Sequence, residues 1–365
     1  PCQPSIEGTS SLASKQSGRI LPADSSLTSL YRRNLIEASG FTMFEKLKVA
    51  VDCADSACAP FAEYVIRQLG ADVEVMARGT DCGASSGSSF ENPSLLIEFV
   101  KDTDSDIGFT FSADGETCIA SLPDGKLLDS ERLAEIFGRV YGKALNNEKQ
   151  TPVIMLSDNC HIALAPYIKS MGAEVRTVTG DYSYLAEEYA EFDNVIMAAD
   201  RLKGIIFPRR SRVPDGLLTA VMLLTCMNRM GMTIGELWAD VPKLVRGLTS
   251  VTIPSGAFIP VMRTTDLEEE IRVLRSYLSG DGRVLMYRPD NTRVEIIVEG
   301  IKSSQVSDVL DRAETLIRKN VRISEDSGLF RHSAAPDAAS NPPDAQEAQG
   351  EADSGALYQN VKKES

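Results

Sequence analysis

The stretch GFTFSADGETCIA, residues 108–120, sets oxygen-bearing side chains at alternate positions. Ser112, Asp114 and Glu116 fall in an acidic, glycine-containing turn after an apolar run. Alternate spacing points three oxygens to one side of the turn, which suits a hard cation and suits an ordinary solvated turn equally. Two other stretches carry donors for anions. RLKGIIFPRRSR places Arg201, Lys203, Arg209, Arg210 and Arg212 within twelve residues of a chain whose net charge is -14. It could bind a phosphate or an acidic partner, or form the rim of a solvated loop. RPDNTR offers Arg288, Asn291, Thr292 and Arg293 to a phosphate, while Pro-Asp-Asn is also a common hairpin turn. The loop GTDCGASSGSSFENP lacks P-loop spacing and reads as surface.

Composition narrows the chemistry. An acidic field disfavours nucleic acid and anionic membranes as partners. No apolar run is long enough to cross a bilayer, and the N-terminus has no signal pattern. Seven cysteines are scattered, with Cys53 and Cys58 closest. They imply reduced thiols in a cytoplasmic protein. With only His161 and His332 as histidines, zinc is not expected. Residue 1 is Pro rather than Met, so a processed chain or a fragment is expected.

The elements that must hold these residues alternate. LKVAVDC is a strand, APFAEYVIRQLG a helix stopped by Gly70, ADVEVMA a strand, PSLLIEFVKD a helix and DIGFTFS a strand. LDSERLAEIFGRVYGKAL is a long helix with Asp129 or Ser130 as N-cap. The order then repeats from TPVIMLSD through GLLTAVMLLTCMNRMG. An earlier helix, SLTSLYRRNLIEAS, lines Leu27, Leu30, Tyr31 and Leu35 along one face. From about 249 the order becomes β-α-β-β-α, with TSVTIPSGAFIPVMR as its first strand. The expected class is α/β: two tandem three-layer α/β/α units with mainly parallel sheets, then a small two-layer α+β domain. The expected boundaries are 1–45 for a remnant and linker helix, 46–148 and 149–248 for the α/β/α units, 249–322 for the α+β domain, and 323–365 for a disordered acidic tail.

Residues from about 20 to 322 resemble domains two to four of the α-D-phosphohexomutase superfamily, which includes phosphoglucomutase, phosphomannomutase and phosphoglucosamine mutase. LKVAVDCADSA resembles the opening of the second domain. IGFTFSADGETCIASLPDGKLLDSERL resembles the F-D-G-D-G-D-R stretch and its sequel. VPDGLLTAVMLL resembles the GDG start of the third domain's last helix, and YRPDNTRVEIIVEG the fourth-domain phosphate loop R-x-S-G-T-E-P.

The resemblance implies phosphoryl transfer between the 1- and 6-oxygens of a hexose phosphate, an isomerase reaction of carbohydrate metabolism that uses Mg²⁺. It places Ser112, Asp114 and Glu116 where three aspartates stand, with Thr117 in place of an arginine, so metal binding is expected to be weakened. ADRLKG, Ala199–Gly204, stands at the sugar loop G-E-x-S-G-H, with Asp200 as a shifted acid and Lys203 as a cation. RPDNTR stands at the phosphate loop without its Ser-Gly-Thr run. The serine loop T-A-S-H-N-P does not occur in this sequence, so no catalytic residue is assigned. Two expectations follow: an impaired or incomplete mutase, or a pseudoenzyme. The pseudoenzyme would act as scaffold or regulator, keep residual hexose-phosphate binding, and reach protein partners through its acidic tail.

Overall fold

The computed structural model describes residues 25–326 apart from 55, 77–88, 146–150, 180–184, 186–193, 238–243, 256 and 263–266. The glycine- and serine-rich loop through Ser88, the segment before Ser25 and the acidic tail beyond Asp326 lie outside the described residues.

The chain begins with helix α1 (Ser25–Ala38), β1 (Lys48–Asp52), α2 (Ala62–Gln68), β2 (Asp72–Val75), α3 (Ser94–Asp102), β3 (Ile107–Phe111), β4 (Cys118–Ser121), β5 (Leu127–Leu128) and α4 (Ser130–Leu145). Asp129 caps α4, its Oδ1 accepting from Arg132 N at 3.0 Å. The second stretch runs β6 (Val153–Ser157), α5 (Leu164–Ser170), β7 (Glu174–Val178), β8 (Val195–Asp200), β9 (Gly204–Ile206), α6 (Gly216–Met230) and α7 (Ile234–Leu237). Last come β10 (Val245–Thr252), α8 (Phe258–Met262), α9 (Leu267–Ser276), β11 (Arg283–Asp290), β12 (Arg293–Gly300) and α10 (Ser303–Asp326).

The first sheet has the order β2-β1-β3-β4-β5 and the second β7-β6-β8-β9. Three strands of each are parallel, and β4, β5 and β9 turn back antiparallel. These short returning strands escaped the sequence pattern because they are only four, two and three residues long. The parallel strands read as continuous apolar runs because helices bury both faces: every residue of IGFTF and VIMLS is buried.

Helix packing departs from a simple tandem repeat. Helix α4, expected to close the first unit, lies on the second: Phe137 meets Phe207 edge-on at 5.2 Å. A Cβ at Gly138 would come within 2.6 Å of Ile168, so only glycine lets α4 approach α5 this closely. Helix α6, from the second unit, packs on β3 and β4 of the first sheet as well as on β9. Sandwiched between units, it is apolar nearly all round and buries residues from Gly216 to Met227. The two α/β units therefore share one hydrophobic core, running from Leu35 to Leu237. Helix α1 docks beside α6 through Leu35 and Ala38, while Leu27 and Leu30 of its expected apolar face stay exposed.

The C-terminal unit is an antiparallel sheet, β10-β12-β11, under α9 and α10. Its first strand starts at Val245, four residues before the expected boundary, and FIPVM folds as α8 rather than as strand. Helix α10 continues to Asp326, past the expected start of the tail. Alternation sends Val294, Ile296 and Val298 into this unit's own core. Glu295, Ile297 and Glu299 take the opposite face.

Candidate functional site

Residues 112–117 connect β3 to β4 as a tight hairpin loop. Ser112 N donates to Thr117 O at 3.0 Å, and Gly115 supplies the left-handed φ of +76° the turn requires. Two of the three oxygens singled out by spacing are bonded to each other. Ser112 Oγ donates to Asp114 Oδ1 at 2.5 Å and accepts from Thr117 N at 3.0 Å. Asp114 Oδ1 also accepts from Glu116 N at 3.0 Å. Partial burial opposes ionisation of Asp114, but the Ser112 hydroxyl, the Glu116 N–H and nearby Lys203 outweigh it and hold the carboxyl below its usual range.

The loop's carbonyls are taken as well. Ser56 Oγ donates to Ser112 O at 2.7 Å, Ala57 N to Ala113 O at 3.0 Å, and Gly216 N to Gly115 O at 2.8 Å. Mg²⁺ needs near-octahedral hard oxygens at about 2.0–2.1 Å. As folded, this loop's Ser112 hydroxyl, one Asp114 oxygen and three carbonyls are committed internally. The residues do not fit that ion. Among the described residues no cluster of three or more His, Cys, Asp or Glu could hold a metal.

The loop is clamped by the second unit. A Cβ at Gly204 would lie 2.9 Å from Glu116 O, and one at Gly216 would lie 2.8 Å from the Thr117 carbonyl. The structure thus brings the 112–117 loop beside the 199–204 loop. Asp200 corrects an expectation, because it is not presented to a ligand. It is buried and accepts from Asn159 Nδ2 at 3.0 Å, Leu202 N at 2.8 Å and Lys203 N at 2.9 Å. It therefore holds the loop in shape. Asp52 does the same at the end of β1, accepting from Ala54 N, Ser89 N and Ser89 Oγ. Lys203 is exposed on the rim, whereas Arg201 pairs with Glu295 of β12.

RPDNTR is a hairpin turn. Asp290 pairs with Arg293 in register, leaving Asn291 and Thr292 at the tip. Asp290 accepts from Thr292 N and Thr292 Oγ1, each at 2.8 Å, and from Arg293 Nε at 2.7 Å. Those donors, the Thr292 N–H first, hold its carboxyl down to about 2. Two of the four expected phosphate donors are thus spent on the hairpin's own acid. Arg288 and Asn291 are exposed, with Arg288 lying over the Phe258 ring at 5.6 Å. The Arg209, Arg210 and Arg212 loop is exposed between β9 and α6.

Two features had no signal in local spacing. Asp215 caps α6 by accepting from Leu218 N at 2.8 Å, and Tyr31 of α1 donates to both of its oxygens at 3.0 Å. Burial pushes the Asp215 carboxyl up. Cys53 and Cys58, below the 112–117 loop, are pushed up to about 12, mainly by burial.

Comparison with known proteins agrees with this arrangement. The family description "Phosphoglucomutase/phosphomannomutase, alpha/beta/alpha domain III" matches residues 130–245. That span begins at α4, the helix found on the second sheet. A phosphoglucosamine mutase of Clostridium botulinum is 27% identical over 281 residues, covering 75% of this chain and 61% of the relative. One of Clostridium beijerinckii is 28% identical over 279 residues, with the same coverage of both chains. The chain thus spans about three-fifths of the length of these relatives.

Among solved structures, a phosphoglucomutase/phosphomannomutase family protein of Burkholderia thailandensis superposes with a TM-score of 0.62 at 18% identity, covering 82% of this chain and 65% of that one. N-acetylphosphoglucosamine mutase of Aspergillus fumigatus, solved with GlcNAc-6P and magnesium, superposes at 0.61 with 16% identity, over 80% and 65%. At these identities the structures speak to fold alone. The domain match, the phosphoglucosamine mutase relatives and the shared fold together make this chain similar to proteins of the α-D-phosphohexomutase superfamily.

Proposed function

We propose that this chain is a phosphohexomutase-type protein of carbohydrate metabolism whose own loops are impaired for phosphoryl transfer. One observation carries the reading: one donor of its metal-type loop and two of the four in its phosphate-type loop are closed on acids of the same loops. Ser112 is bonded to Asp114, and Thr292 and Arg293 to Asp290. A transition state rich in charge needs donors aimed at the ligand, and losing one can cost about 10²–10³ in rate. A coupled assay on the protein with glucosamine 1-phosphate, glucose 1-phosphate or mannose 1-phosphate, each with its 1,6-bisphosphate and Mg²⁺, tests it. Turnover at rates normal for an enzyme, about 1–10³ s⁻¹, would overturn it.

A second reading, a fold-retaining scaffold or regulator with residual hexose-phosphate binding, is favoured by exposed Lys203 and Arg288 at the rims of the two loops. Calorimetry with glucosamine 6-phosphate should give heats that Arg288→Ala reduces by about tenfold in affinity, roughly one charge-assisted hydrogen bond. Equal heats from both proteins would remove Arg288 from the site. Among the described residues Cys53, Cys58, Cys118, Cys160 and Cys226 are free thiols, and no helix is long and apolar enough to cross a membrane. Free thiols support a cytoplasmic setting.

A further inference from the structure

The C-terminal unit has its own core, and that core does not merge with the one beneath the α/β units. Its buried apolar residues and those packed on them run from Val245 to Val321, whereas the other core ends at Leu237. Charge joins the two bodies. Antiparallel register sets Arg246, Glu299 and Arg283 in one row across the outward face of the sheet. Glu299, at 0% exposure, receives Arg246 Nη2 at 2.7 Å, Arg283 Nη2 at 2.7 Å and Ile162 N at 3.2 Å. Arg246 reaches on to Glu131 at the start of α4, with Nη1 at 2.5 Å and Nη2 at 2.9 Å. Arg283 Nη1 and Nη2 donate to Asp158 O at 2.5 Å and Cys160 O at 2.8 Å. His161 bonds Leu244 O through Nε2 at 3.4 Å, and its N–H donates to Glu131. Two rows further along the sheet, Glu295 pairs with Arg201 of the 199–204 loop. In the row between, Ile297 is buried while its neighbour Leu248 is exposed.

We propose that this network is an electrostatic latch, keyed on Glu299, that holds an independently cored C-terminal unit down on the start of α4 and on the 158–162 and 199–204 loops of the second α/β unit. Charged groups taken out of water are strongly attracted only while every partner is present. Removing one charge leaves its partners buried and unpaired, so the interface opens rather than repacks. The unit itself should survive release, because Val284, Val294, Ile296, Val298, Val309 and Ile317 pack without the latch. The inference concerns orientation and does not depend on whether the loops bind sugar phosphates.

Two variants test it in the chain as it stands: Glu299→Gln, and Glu131→Gln on α4, outside the C-terminal core. Amide exchange followed by mass spectrometry and X-ray scattering are the readouts. Release predicts at least tenfold faster exchange at 158–162 and 201–203, unchanged protection of β12, and a larger radius of gyration in both variants. Unchanged exchange and radius in both would overturn the proposal. So would loss of β12 protection in both, which would make the cluster part of the fold of the C-terminal unit rather than a latch upon it. If Glu299→Gln alone fails to fold, Glu131→Gln decides between these outcomes.

Discussion

Asp290 shows how one carboxylate can redirect a loop. Its oxygens take up the N–H and hydroxyl of Thr292 and the guanidinium of Arg293, groups whose types had suggested a phosphate ligand. Asp290→Asn should release Arg293 and strengthen glucosamine 6-phosphate binding several-fold in calorimetry, and adding Arg293→Ala should cancel the gain. No gain in the single variant would mean that the hairpin is simply a turn. Residue types and spacing singled out three loops. They could not reveal which donors the loops keep for themselves, because Ser112–Asp114 and Asp290–Arg293 depend on loop geometry. Asp200 looked chemical for a similar reason: a carboxylate at a strand end suits both ligand binding and capping, and burial decides between them.

At the scale of elements, the meeting of α6 with the 112–117 loop is a backbone-to-backbone contact that leaves no room for a side chain. Gly216→Ala should destabilise the protein by about 1–3 kcal/mol in urea unfolding, since the Thr117 carbonyl it would strike is pinned by the hairpin. A change under about 0.5 kcal/mol would show that the loop can retreat. The helices and parallel strands were legible because apolar periodicity is local. The destination of α4 was not, since its apolar face fits either sheet and contact with Ile168 and Phe207 decides. The C-terminal strand was placed four residues late because Val245–Leu248 alternates weakly, its inward Gly247 being without a side chain.

At the scale of the whole molecule, joining bodies by charge makes stability depend on pH. Burial, helped by the Arg246 charge, outweighs the opposing carboxylates of Glu299 and Glu131 and holds His161 below its ordinary 6.5. A group depressed on folding stabilises above its unfolded value, so this contribution is lost as pH falls from 6.5 toward the folded value. Burial opposes ionisation of Glu131, yet its Arg246 bonds win and depress it below 4.5, which adds a loss of the same sign further down. Asp215 and Asp129, both raised by burial, act in the opposite direction on acidification. The thermal midpoint should therefore fall between pH 7.5 and 5.5, and fall less in His161→Asn. An equal fall in both proteins would place the sensitivity elsewhere.

The exchange of α4 and α6 between sheets bears on inheritance. Two similar halves in tandem invite gene recombination at their seam. A crossover between codons 148 and 149 would hand each descendant half a helix shaped for a foreign sheet. Phe137 would arrive without its Phe207, and β3 and β4 without the helix that covers them. Such halves can be inherited well only together.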